Sequence, residues 1–169
     1  SPDLVGVVRA AAVAARGGRV AWAGAEADLP AAHGGLARFD VGGRAVVPGF
    51  VDAHTHLVFA GDRSDEFCRR LGGEGYEDIL ASGGGIHSTV AATRAASFED
   101  LVDAASARAW RMLRHGTTTV EVKSGYGLDV ETEAKILEAA RAVGERVPVD
   151  VLPTFLGAHV VARGMEREE

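Results

Sequence analysis

A single cysteine, Cys68, leaves the sequence no internal disulfide, so a reducing, cytoplasmic setting is the simple expectation. A free cysteine is usually buried, and Cys68 is expected to pack as a small, partly buried hydrophobe. No apolar run approaches the roughly 18 residues that cross a bilayer, so no membrane partner is expected. The first residues lack the basic start, apolar stretch and small-residue cleavage site of a signal peptide. Basic charge is also in deficit: 18 Lys and Arg stand against 24 Asp and Glu, a formal net charge of −6. A nucleic-acid partner, which needs a basic face, is therefore not expected. The stretch Ser82-Gly83-Gly84-Gly85 lacks the lysine and hydroxyl residue that complete a phosphate-binding P-loop, which argues against a phosphate cradle there.

What is present suffices for a core, since 47% of the 169 residues are apolar. Residues 1–47 read as a small β unit. In it, strands at Ala11–Ala15 and Arg19–Ala23 flank Gly17-Gly18, and a second turn falls at Gly42-Gly43. Residues 48–169 read differently. An apolar, β-branched run at 45–53 predicts a strand buried on both faces, regular only after Pro48. Residues 57–97 show little periodicity and read as a long functional loop. Ser97 can cap a helix over 98–115 with Phe98, Leu101, Val102, Ala105, Ala109, Met112 and Leu113 inward, ended by Gly116. Thr117–Val122 reads as a strand. Asp129 can cap a helix over 130–143 with Ile136, Leu137, Ala140 and Val143 inward, stopped by Gly144 and Pro148. Val149–Phe155 reads as a third strand. Strands alternating with helices predict parallel βαβ units, an α/β fold. The chain starts Ser1-Pro2-Asp3 without Met and ends in charged residues, so a fragment of a longer protein is expected.

The chemically unusual residues follow the strands, where parallel α/β folds place their sites. His54 and His56 stand two residues apart at the end of the first such strand. Side chains at i and i+2 of a strand share a face, so both imidazoles can converge on one cation. Neutral imidazole suits Zn, Fe, Ni or Cu, and a catalytic ion usually has three protein ligands plus an open position. Arg63 can grip a carboxylate with two hydrogen bonds. Tyr126, between Gly125 and Gly127, can project a phenol. His159 can polarise a carbonyl or carry a proton. Each also has a plain reading, as a solvated arginine, a packing aromatic or a surface histidine. Lys123 reads as a simple ion pair, and His33, His87 and His115 as ordinary polar positions.

The segment VVPGFVDAHTHLVFAGDR resembles the first barrel strand of the amidohydrolase superfamily, where the H-x-H pair binds the metal. GDRSDEF, GYEDIL, SGGGIHSTV, HGTTTVEVKSGYGL and LPTFLGAH together resemble the imidazolonepropionase family. That resemblance implies a (β/α)8 TIM barrel, with residues 48–169 giving about its first three strands. It implies that residues 1–47 give part of a small β-sandwich. The implied activity is hydrolytic ring opening of 4-imidazolone-5-propanoate to N-formimino-L-glutamate in histidine degradation. The implied cofactor is one Zn2+ or Fe3+ per site, held by His54 and His56. Arg63, Tyr76, Tyr126 and His159 are implied to meet substrate, with His159 also catalytic, and a homodimer is implied for the full-length protein. The remaining metal ligands and the acid/base glutamate are implied on later strands, so the 169-residue chain is expected to be inactive alone. Two rivals stay open: another cyclic amidohydrolase, such as a dihydroorotase, hydantoinase or deaminase, and a non-catalytic metal-binding module.

Overall fold

The structure, a computed structural model, describes residues 6–157 and 159–161. The chain divides into two compact units, one running to Val47 and the other from Pro48. In the first unit, strands β1 (Ala11–Arg16) and β2 (Arg19–Ala25) form an antiparallel hairpin. Gly17 and Gly18 turn it with φ of 59° and 72°, the left-handed pair that a two-residue hairpin requires. Two single 3-10 turns follow, Glu26–Asp28 and Ala31–His33. Ala14 is the one buried apolar residue among those described in this unit.

The second unit opens with strand β3 (Phe50–Thr55). The loop expected over 57–97 is instead largely helical: α1 (Ser64–Leu71), α2 (Tyr76–Ala81) and α3 (Ile86–Ala95). These helices are too short for a periodic apolar stripe to stand out, and α1 buries none of its residues. Cys68 lies on α1 and is exposed rather than partly buried, because that helix turns no face to the core.

Helix α4 (Phe98–Arg114) starts where Ser97 accepts the Asp100 N–H, and Gly116 turns the chain out of it with φ of 96°. Strand β4 (Thr117–Lys123) leads to helix α5 (Val130–Arg146), whose cap is Asp129 accepting the Thr132 N–H. Gly144 does not stop α5. The helix runs to Arg146 and ends at Val147, which is extended as the residue before Pro148 must be. A Cβ at Gly144 would meet Val151 of the next strand at 3.4 Å, an ordinary contact distance. That strand is β5 (Asp150–Thr154).

The sheet order is β3-β4-β5, and both pairings are parallel. Val120 and Val122 on one face of β4 pack into a core with Leu101, Val102, Ala105 and Ala109 of α4 and Ile136, Ala139, Ala140 and Val143 of α5. Four expected core positions sit at its margin: Phe98 is 40% exposed, Met112 and Leu113 are partly buried against the core, and Leu137 is half-buried while Ala139 faces in. Parallel pairing sends the carboxyl ends of all three strands to the same side.

Candidate active site

Four of the six residues singled out from the sequence meet at that side. His54 is in the last turn of the pleat of β3 and His56 lies just past it. Tyr126 and His159 follow β4 and β5. The His56 ring lies 4.8 Å from that of Tyr126 and 4.9 Å from that of His159, centroid to centroid. The His54 ring is 6.0 Å from that of His56, and Tyr126 and His159 are 6.1 Å apart. The 6.0 Å spacing of the His54 and His56 rings is in keeping with side chains two residues apart on one strand face. The register of β3 on β4 shifts between Asp52 and Thr55.

His56 is the electrostatic centre of this cluster. Burial lowers its pKa, and the His159, His54 and Lys123 charges lower it further, against a weaker opposing effect of Glu121. Its ring is therefore neutral at neutral pH, the form that coordinates metals. Nδ1 of His56 is buried with no hydrogen-bond partner. Lys123, whose charge acts on His56, pairs with Glu121 at 2.5 Å. Burial opposes ionisation of Glu121, but hydrogen bonds from Lys123 and Thr154 and the Lys123 charge outweigh it and hold the carboxyl below its usual range.

Polar side chains tie down each strand-end loop. After β3, Arg108 of α4 donates to the carbonyls of Leu57 and Phe59 at 3.0 Å each, and its guanidinium lies 3.7 Å over the Phe59 ring. Phe59 in turn stands edge-on to Tyr126. After β4, the Glu133 carboxylate of α5 accepts the N–H groups of Gly125, Gly127 and Leu128 at 2.6–2.8 Å. After β5, the Leu156 N–H donates to Ser124 Oγ at 3.0 Å. The glycines around Tyr126 serve close approach rather than slack. A Cβ at Gly125 would meet His159 Cβ at 3.0 Å, and one at Gly127 would meet the Glu133 nitrogen at 2.7 Å.

Arg63 and Tyr76 are not drawn into the cluster. Arg63 pairs with Glu66, whose other oxygen accepts the Gly85 N–H at 2.8 Å. Tyr76 opens α2 and is 52% exposed. Sequence reasoning missed Arg108, Ser124 and Glu133. A fully buried acid near the start of an amphipathic helix leaves no mark in periodicity, because Glu is common in first turns for other reasons.

His54 and His56 can hold a metal. Two imidazoles sharing an ion at about 2.1 Å place their ring centroids within about 6.5 Å, and the observed spacing falls inside that limit. Among the described residues no group of three or more His, Cys, Asp or Glu side chains forms a complete metal site. The pair and its unpartnered Nδ1 thus suit part of a coordination shell.

No family model matches the chain. Individual relatives do. The chain is 53% identical over 151 residues to an imidazolonepropionase of Paraburkholderia phymatum, covering 89% of this chain and 37% of that protein. It is 52% identical over 159 residues to one of Cupriavidus necator, covering 94% of this chain and 38% of that protein. It is 50% identical over 169 residues to one of Acidiphilium cryptum, covering 99% and 42%. The chain thus spans about two-fifths of the length of the curated relatives it matches.

Proposed function

We propose that this chain, a member of the imidazolonepropionase family by its sequence, is part of a hydrolase that opens the ring of 4-imidazolone-5-propanoate to N-formimino-L-glutamate. The observation that carries the reading is the meeting of His54, His56, Tyr126 and His159 at the carboxyl ends of three parallel strands. In this reading β3, β4 and β5 are the first three strands of a (β/α)8 barrel, and residues 1–47 belong to a small β-sandwich. The protein works in the cytoplasm as a homodimer.

One Zn2+ or Fe3+ is held by His54 and His56, with further ligands from the rest of the protein. When bound, such an ion supplies Lewis acidity that activates water at neutral pH. The neutral His56 imidazole is ready to ligate without first losing a proton. Tyr126 donates its phenolic hydrogen to the substrate ring and fixes its orientation. His159 polarises the ring carbonyl and holds or moves a proton there. Arg63 takes the propionate by exchanging the Glu66 carboxylate, which it meets through the single oxygen Oε2, for that of the substrate, whose two oxygens its fork can grip together. Tyr76 closes the other side of the substrate.

The test uses the full-length protein. Imidazolone propionate should turn over faster than dihydropyrimidines, hydantoins or purines. His54→Ala and His56→Ala should each lower bound metal by more than about tenfold, since loss of mere supporting groups already costs that much. Preferred turnover of a dihydropyrimidine or purine, or full metal content in both variants, would sink the reading.

A further inference from the structure

We propose that Glu133 is a positioning residue for Tyr126: its carboxylate holds the loop that carries the phenol and so sets where the phenol stands beside His56. The inference deepens the proposed function and rests on it for the role of Tyr126.

Glu133 is 1% exposed, and a carboxylate so placed needs compensation. It has it on both oxygens. Oε2 accepts the Gly125 N–H at 2.6 Å, and Oε1 accepts those of Gly127 at 2.8 Å and Leu128 at 2.7 Å. Tyr126 is the residue enclosed by these three donors. Its ring contacts, His56 at 4.8 Å, His159 at 6.1 Å and Phe59 at 6.2 Å, all lie on the strand-end cluster.

The backbone of this loop would not hold its shape unaided. Leu128 sits at φ of 56°, a left-handed conformation that strains a branched side chain, and Gly125 is at 116°. Such conformations persist where the surroundings over-determine them, and here they do. Arg94 of α3 donates Nε to the Gly127 carbonyl at 2.7 Å and pairs with Asp129 at 2.9 Å. Gly127 is thus held through its N–H by Glu133 and through its carbonyl by Arg94. A purely structural acid could cap any three free donors. This one caps the three that flank a single aromatic side chain facing the histidines.

The experiment is a double-mutant cycle in the full-length protein, with amide hydrogen exchange as a second readout. Glu133→Gln keeps the volume but turns one acceptor into a donor facing donors. Glu133→Asp keeps the carboxylate on a shorter arm. Glu133→Gln should lower kcat/KM at least about tenfold, as small misplacements of a reacting group do. Glu133→Asp should fall between it and wild type. In the Tyr126→Phe background, Glu133→Gln should cost less than about twofold, because the group it positions is already gone. Exchange should rise in residues 124–128 while the core of α5 stays protected. Equal losses in both backgrounds, or unchanged exchange at 124–128, overturn the proposal. If wild type fails to open the imidazolone, the proposed function falls, and Glu133 is judged on the Tyr126 ring resonances alone. A shift of those resonances in Glu133→Gln sustains its positioning role; unaltered resonances overturn it.

Discussion

His56, Tyr126 and His159 form a triangle of rings, and two glycines make that possible. Gly125 brings the loop after β4 against the residue that follows β5, with φ of 116°. Gly125→Ala should therefore fail on two counts. The backbone conformation strains a residue with a Cβ by about 1–3 kcal/mol. The added methyl would also press on His159 Cβ at 3.0 Å and the Leu156 carbonyl at 3.2 Å. A lower melting temperature together with reduced kcat/KM is the expected outcome, checked by thermal denaturation and steady-state kinetics. An unchanged melting temperature would mean that the loop has room the packing does not show. At this scale the sequence made His54, His56, Tyr126 and His159 legible, since each is a rare, reactive type beside a strand end. It left Arg108, Ser124 and Glu133 unread, because their partners are backbone groups contributed by other segments.

Helices α4 and α5 were legible as elements for a simple reason: each carries a cap residue and a long apolar stripe. The α5 cap has a pH signature. The Thr132 N–H holds the Asp129 carboxyl below its usual range; burial opposes this, and the Thr132 hydroxyl and the Arg94 charge assist it. A carboxyl depressed on folding stabilises fully above its unfolded pKa, and that contribution is lost as pH falls through the folded value. The unfolded reference is 3.8. Asp129→Ala should cost about 1 kcal/mol at neutral pH. The gap in melting temperature to wild type should hold down to about pH 5 and close below the unfolded value. Thermal melts of both proteins across that range check it; a gap that persists in acid would mean the cap works without its charge. The helices α1, α2 and α3 were not legible, with only 8, 6 and 10 residues. Short helices owe their existence to capping and tertiary contacts more than to periodicity.

Over the whole molecule, the parallel sheet is the feature with the widest consequence. Among the described residues β3 and β5 are its edges, and they leave Val51 and Leu152 67% and 53% exposed. Apolar open edges invite association. With only two of the proposed metal ligands and about two-fifths of the relatives' length, residues 1–169 expressed alone should associate and fail to turn over imidazolone propionate. Light scattering and a ring-opening assay check this; native-like turnover by that segment would refute the need for further strands.

The sequence by itself determined the alternation of strands and helices, the parallel pairing it implies, and the identity of the reactive residues at the strand ends. These follow from local periodicity, capping and side-chain chemistry, which are written within a few residues of each position. The tertiary structure alone decided which of those residues meet. It brought His56, Tyr126 and His159 together, left Arg63 on Glu66, and set a buried Glu133 under the loop that carries Tyr126. Those outcomes depend on contacts between separate segments. Packing and buried hydrogen bonding select such contacts, and no pattern within one segment encodes them.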